Sequence, residues 1–368
     1  MISVENLEQW FASNYERTIS GRYILYNNIK SLIEELPSCY KNELLGFSTN
    51  GIPIHKISFG TGLKKVLIWS QMHGNECTGT KALFDLFKFL TPSNTIFREV
   101  IAEISKKCTI EIIPMLNPDG AIAFTRENAV GIDLNRDAVK KDAIESNLLR
   151  NTLEEFNPQF CFNLHDQRSI FNVEDSSNPA TISFLAPSED VERNLTDGRI
   201  ETMSVIVAMN NFLQKLIPNQ IGRYTDEFYP TATGDNFQKL GHNTILIEAG
   251  HYFDDYDREI TRKYNFYALL SGLLFIATSS DYKNYESYMS IPNNNTKYLD
   301  VIYKNVSTKI NDKIIVEDIG IQFKFKVIDG ELVKYQHIEN RGDLSNYYSN
   351  TIINAEYLNF SELLLSNS

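Results

Sequence analysis

Positive charge is in short supply: 35 lysines and arginines face 47 aspartates and glutamates, a formal net charge of -12 over 368 residues. The acidic excess is spread along the chain, which argues against a nucleic-acid surface and disfavours an anionic membrane. No uninterrupted apolar stretch approaches the length needed to span a bilayer. The N-terminus, Met1-Ile2-Ser3-Val4-Glu5-Asn6-Leu7-Glu8, has neither the basic nor the apolar region of a secretory signal, so the chain, taken as a whole gene product, is expected to be cytoplasmic. Only four cysteines occur, Cys39, Cys77, Cys108 and Cys161, at wide and unpatterned spacing. That excludes a disulfide framework or a zinc ribbon and fits reduced thiols. Internal repeats and low-complexity tracts are absent too. What remains, with 42% hydrophobic and 22% charged residues, is a folded protein whose expected partners are small molecules or peptides.

Apolar residues at helical spacing over 4–15 and 22–36 predict a helical lead-in covering residues 1–40. After Pro37 the pattern changes to short apolar runs flanked by Gly, Pro or Asn, at 52–59, 65–70, 108–114, 160–164, 181–186 and 244–249. Such runs suit strands buried on both faces. Helical segments at about 75–91, 142–156, 190–216 and 257–278 alternate with them. This order predicts an α/β fold, a mixed and largely parallel sheet between helix layers, over residues 41–290. The polar stretch from Ile291 to Thr296 reads as a linker. Beyond it, "KIIVEDIGIQFKFKVIDGELVKY" with its Asp329-Gly330 turn predicts a small β-rich module at 299–368.

Within "WSQMHGNECTGT" a histidine and a carboxylate, His73 and Glu76, stand three apart where a strand should end. A His-x-x-Glu should arise by chance roughly 0.4 times in a chain of this composition, so alone the pair reads as a decorated turn. Its meaning changes with "FCFNLHDQR" and "NTILIEAGH", which place His165 and Glu248 at the ends of two other buried strands. Ligand sites in open α/β sheets gather at the carboxyl ends of strands, so His73, Glu76, His165 and Glu248 can converge. Two histidines and one carboxylate form a catalytic zinc set. A further carboxylate near the metal supplies the general base that metal-assisted hydrolysis needs. A satisfied core histidine and a buried ion pair explain His165 and Glu248 singly, but a metal site explains both, because a buried carboxylate is costly unless compensated. The segment "NPDGAIAFTRENAVGIDLNRD" then presents Arg126 and Asn135-Arg136. Guanidinium groups there either pair with Asp119, Asp133 or Asp137 or, beside a zinc set, hold a substrate carboxylate and a developing oxyanion.

These five features occur in the order His73-x-x-Glu76, Asn117-Pro118-Asp119-Gly120, Gly131-Ile132-Asp133-Leu134-Asn135-Arg136, His165 and Glu248. In that order, over roughly residues 50–278, the sequence resembles the zinc carboxypeptidases, peptidase family M14. The resemblance implies an eight-stranded mixed sheet between helices and one zinc ion per chain held by His73, Glu76 and His165. It makes Glu248 the general base and Arg126 the group that polarises the scissile carbonyl. Asn135 and Arg136 resemble the pair holding the substrate's terminal carboxylate, and Asp133 the carboxylate that orients the first zinc histidine. The implied substrate is a peptide or small amide with a free carboxylate. A tyrosine that closes over substrate matches Tyr224 or Tyr229, with Tyr229 preferred. Asp235 falls where the family sets side-chain specificity and would suit an amine-bearing group, or else serves as a helix cap or turn residue. The short Arg126–Asn135 loop and the Asp166-Gln167-Arg168 run depart from the digestive enzymes. With "ILIEAG" the sequence also resembles the aspartoacylase and succinylglutamate desuccinylase branch, whose members remove an acyl group from an amino acid. An N-acyl-amino-acid deacylase is therefore the first alternative, and an inactive zinc-binding recognition module the second.

Overall fold

The computed structural model describes residues 2–310 and 313–356; residues 357–368 of the expected C-terminal module lie outside the described residues. Two short helices, α1 (Val4–Asn14) and α2 (Tyr26–Glu34), lead in. The main body then runs β1 (Tyr40–Phe47), β2 (Pro53–Phe59), β3 (Lys64–Trp69), α3 (Thr78–Phe89), α4 (Arg98–Lys107), β4 (Cys108–Ile113), α5 (Pro118–Ala123), α6 (Ile144–Phe156) and β5 (Phe160–Asp166). It continues with β6 (Asn172–Val173), β7 (Ile182–Leu185), α7 (Asp197–Leu213), β8 (Ile221–Arg223), α8 (Thr233–Lys239), β9 (Asn243–Ala249) and α9 (Glu259–Thr278). Eight strands form one sheet in the order β1-β2-β4-β3-β5-β9-β7-β8. Its centre, β4-β3-β5-β9, is parallel, while β1/β2, β2/β4 and β7/β9 pair antiparallel. No helix among the described residues is long and apolar enough to cross a membrane.

Burial on both faces explains the continuous apolar runs of the central strands. Val66, Ile68, Phe160, Phe162, Leu164, Ile245 and Ile247 face one core with α3, α7 and α9, whereas Leu67, Trp69 and Cys161 face a second with Leu149 and Leu153 of α6 and Phe237 of α8. The lead-in is tied to the first core by a buried ion pair. Arg262 of α9 forks onto Asp85 of α3 at 2.6 and 2.7 Å and also donates to the Glu16 and Ile19 carbonyls.

Beyond α9 come β10 (Asn294–Asn295), β11 (Tyr298–Ile310), β12 (Lys313–Ile328), β13 (Glu331–Gly342) and β14 (Tyr348–Asn354). The last four form a separate sheet, β13-β12-β11-β14. The stretch read as a linker is not free, because β10 pairs with β6. The small sheet leans on the loop after β5: Arg168 pairs with Glu339 at 2.6 Å, and Ser169 donates to Gln322 at 3.0 Å. On its other side the Asn350 amide reaches His251 Nε2 at 2.9 Å and the Tyr256 hydroxyl at 2.8 Å.

Candidate metal centre

The strand-to-helix turn after β3 is built by side chains before any ligand is considered. Gln71 takes a left-handed conformation, φ 51°, at the strand end. Its amide donates to the Ile24 and Gly74 carbonyls and accepts from Thr80, which offsets that conformation. The Asn-Pro-Asp-Gly motif sits against this turn. Asn117 caps α5 by accepting from Gly120 N and donates to the Met72 carbonyl. Gly74 and Gly120 pack backbone to backbone: a Cβ on Gly74 would lie 1.8 Å from the Gly120 carbonyl carbon, so any side chain there displaces the turn. His73 and Glu76 meet through this turn, one residue short of α3, rather than on the helix itself.

The two side chains converge with His165 from the end of β5. His73 Nδ1 lies 2.9 Å from Glu76 Oε1, and His165 Nδ1 lies 2.9 Å from Glu76 Oε2. The two Nδ1 atoms are 3.1 Å apart. His73 Nε2 is spent on Asp133 Oδ1 at 3.1 Å, which fixes the ring so that Nδ1 faces the cluster. A cation fits this donor set: one ligand atom from each of the three side chains lies within 4.8 Å of the others, and a shared ion satisfies both ring nitrogens and the carboxylate at once. Cys77 turns away, directing its thiol toward the Arg22 carbonyl at 3.2 Å. Burial pushes that thiol up to about 11, so it stays protonated against the Arg22 carbonyl.

Asp133 is the hub of the surroundings. Its Oδ1 accepts from both His73 Nε2 and the Asn135 backbone N–H at 2.9 Å, and its Oδ2 accepts from Arg126 Nε at 2.8 Å. Arg126 Nη1 in turn stands 3.2 Å from His73 Nδ1 and 3.6 Å from Glu76. Register places Glu248 beside them: His165 and Glu248 are direct partners across β5 and β9, and Ser183 of β7 is the partner of Glu248 on its other side. Direct partners project from the same face, so His165, Glu248 and Ser183 form one row.

The charges are strongly coupled. Burial opposes ionisation of Glu76, but His73 and His165 outweigh it and hold its carboxyl well below the usual range. Burial likewise opposes charge on Asp133, and hydrogen bonds from His73 and Arg126 win, lowering it. His73 is raised, because Glu76 and Asp133 overcome its burial; His165 is lowered by its burial. Glu248 is pushed well above the usual carboxyl range by burial, with Glu76 and Asp166 acting in the same direction. It makes no side-chain hydrogen bond among the described residues. A carboxyl so placed can take up and return a proton.

A second group lies along the chain from Asp133. The Asn135 side chain accepts from Thr233 N at 3.1 Å, and Arg136 stacks over the Tyr229 ring at 5.9 Å. Tyr229 is half exposed and its hydroxyl is held by Glu227 at 3.0 Å. Asp235, buried in the first turn of α8, accepts from Tyr229 N at 3.2 Å, and burial pushes it up to about 6. Tyr224 instead packs against Phe171, ring centroids 5.2 Å apart, and its phenol is raised by burial and by Glu248 and Glu76. Sequence reasoning missed Arg258. This buried residue, at the cap of α9 with φ 56°, donates to the Ala249 and Gln167 carbonyls and pairs with Asp166 at 3.2 Å. It thereby ties together the strand ends that carry Glu248 and His165. A cation at a helix start runs against the macrodipole, which was the one local signal for it.

The zinc carboxypeptidase family, peptidase M14, matches residues 25–216, a span that takes in His73, Glu76, Arg126, Asp133, Asn135, Arg136 and His165 but stops short of Glu248. Carboxypeptidase 2 of Trichophyton rubrum is 28% identical over 105 residues, which cover 28% of this chain and 19% of that protein. A probable carboxypeptidase 2 of Trichophyton verrucosum is likewise 28% identical, over 28% of this chain and 20% of its own length. The chain thus spans about a fifth of the relatives it matches. In fold it is similar to a metallo-carboxypeptidase from Burkholderia cenocepacia, TM-score 0.55 and 19% identity over 68% of each chain. It is also similar to the carboxypeptidase A of Helicoverpa armigera, TM-score 0.54 and 15% identity over 75% of this chain and 81% of that one. With the matched span covering more than half of its residues, the chain belongs to the zinc carboxypeptidase family.

Proposed function

We propose that the protein is a zinc-dependent carboxypeptidase that hydrolyses the amide bond next to a free carboxylate in a peptide or peptide-like substrate. The observation that carries this reading is the His73, Glu76 and His165 donor set together with the pairing of His165 and Glu248 across β5 and β9. A zinc ion held by these three residues supplies Lewis-acid polarisation of the carbonyl and lowers the pKa of attacking water.

The chain's own residues do the remainder. Glu248, its proton affinity raised by burial, accepts the proton of the attacking water and hands it to the departing amine. Arg126, held by Asp133 and 39% exposed, offers guanidinium N–H groups to the oxyanion. Asn135 and Arg136 take the substrate's terminal carboxylate, a bidentate guanidinium–carboxylate contact being the strong form of that bond. Tyr229, already stacked under Arg136, covers the bound end, and Asp235 beneath its backbone faces an amine-bearing terminal side chain.

Turnover of a dipeptide panel, set against N-acetyl and N-succinyl amino acids, tests the assignment. Peptides are expected to be hydrolysed and Glu248→Gln to abolish it with zinc retained. Turnover confined to the acylated amino acids would make the protein a deacylase instead, and zinc binding without turnover of either set would make it a recognition module.

A further inference from the structure

Arg22, in the connection between α1 and α2, carries a guanidinium with no hydrogen bond and no ion pair among the described residues. Its Nε is fully buried and donates to nothing. It stacks on the Phe325 ring of β12, 4.6 Å from the guanidinium carbon. The acids in its field, Asp166 and Asp300, each commit Oδ2 elsewhere and leave a buried Oδ1 without a hydrogen bond, and neither pairs with Arg22. Asp166 accepts from Thr78 at 2.7 Å and pairs with Arg258 at 3.2 Å, and Asp300 accepts from Ser169 at 3.3 Å and Phe323 N at 2.6 Å. Burial, with Arg258 nearby, lowers the Arg22 pKa to about 10, so it stays charged at neutral pH. A half-buried cation without a partner is costly and is stabilised by an arriving anion.

A cavity of about 690 Å³ opens at this guanidinium, lined among others by Tyr23, Tyr256, Phe325, Leu332 and Lys334. Lys334 is a further cation on its wall, resting on the Tyr256 and Phe323 rings at 4.5 and 4.6 Å with no ion pair among the described residues. Of the acids on its wall, Asp255 is committed to Glu259 N and Thr261, and Glu259 to Lys81 and Arg262, while Asp254 and Asp257 are exposed at the rim. No metal-centre residue lines the cavity, but two of its wall residues connect to that centre. Asp166, in the field of Arg22, directly follows His165 and donates its backbone N–H to Glu76 at 3.0 Å. Tyr23 donates to the Ile122 carbonyl at 2.7 Å and packs on Phe124, two residues before Arg126.

We propose that this cleft, between the N-terminal segment and the C-terminal sheet, is a carboxylate subsite: Arg22 and Lys334 receive an acidic group on the part of the substrate upstream of the scissile bond. The proposal rests on the carboxypeptidase reading above. It gives the C-terminal sheet a role in recognition, since Phe325, Leu332 and Lys334 of the lining come from that sheet.

Calorimetric titration of zinc-loaded Glu248→Gln protein, which needs no turnover, tests it. The ligands are the tripeptides Gly-Glu-Ala and Glu-Gly-Ala, each against its glutamine counterpart, and free succinate. At least one glutamate peptide is expected to bind about tenfold tighter than its glutamine twin. Arg22→Gln should bring that ratio near one, and Arg22→Lys, which keeps the charge should the glutamine variant fold poorly, should retain part of it. A ratio near one in the parent, or one that survives Arg22→Gln, overturns the substrate subsite. Succinate binding that Arg22→Gln abolishes, without discrimination among the peptides, assigns the cleft to a free carboxylate instead. If no tripeptide binds, the carboxypeptidase reading has failed, and succinate alone decides the anion site, its failure to bind overturning that too.

Discussion

Replacing Asp133 by asparagine removes one charge and leaves the shape, and the geometry says what that does. The carboxylate accepts three N–H groups: His73 Nε2 at 3.1 Å, Asn135 N at 2.9 Å and Arg126 Nε at 2.8 Å. Asparagine has one oxygen. If that oxygen stays on His73, its NH2 group confronts the Arg126 N–H. If it turns to Arg126, the NH2 group confronts His73 Nε2 and drives the ring proton to Nδ1, the atom that faces the metal. Removing the partner that orients a metal-binding histidine costs about 10–100-fold in metal affinity, or roughly 1.4–2.7 kcal/mol. Competition with a chromogenic chelator at pH 7.5 measures this. Arg126→Gln is the control, because it removes a cation 3.2 Å from His73 Nδ1 and should leave zinc affinity unchanged or tighter. Asp133→Asn affinity within twofold of wild type, or an equal loss in Arg126→Gln, would refute the role assigned to Asp133.

His251 is buried, accepts from the Asn350 amide and is lowered to about 3 by that burial and by Arg258. The unfolded chain binds its proton near pH 6.5, so between pH 6.5 and about 3 the unfolded state holds more protons and stability falls with acidification. Between pH 7 and 5 the loss is about 2 kcal/mol, seen as a steeper fall of the urea midpoint in wild type than in His251→Asn; parallel curves would count against it. Asp85→Asn removes the bidentate carboxylate from the fully buried Arg262, leaving it Glu259 and two carbonyls, and should cost about 3 kcal/mol, lowering Tm by roughly 4 °C; a loss under 1 kcal/mol would mean that the pair does not anchor the lead-in. Arg168→Ala breaks a pair whose arginine is 54% exposed and should change stability by less than about 1 kcal/mol, so a large drop would show the C-terminal sheet to be held there.

Legibility followed burial. The strands that carry the site, β3, β5 and β9, are apolar on both faces and stood out as runs, and with them His73, His165 and Glu248. The strand β1 has a mostly exposed pattern and no alternation, so it offered no period to read. The helix α4 runs straight into β4 at Cys108 without a loop, and α8 has only seven residues, too few to establish a helical period. The helix expected at 75–91 begins at Thr78, because the turn held by Gln71 and Asn117 occupies its first residues; the one expected at 190–216 begins at Thr196–Asp197, where Thr196 caps it. Arg258 and Arg22 carry no motif at all. Their meaning lies in contacts with strand ends and with a sheet distant in sequence, which spacing cannot reveal.

Metal stoichiometry tests the central claim most directly. Protein purified without chelators and supplied with zinc should hold one zinc per chain by elemental analysis. Glu248→Gln should match it, while His73→Ala and His165→Ala, folded by circular dichroism, should fall below about a tenth of that occupancy. A folded wild type that binds no zinc, or histidine variants that bind it undiminished, would contradict the account.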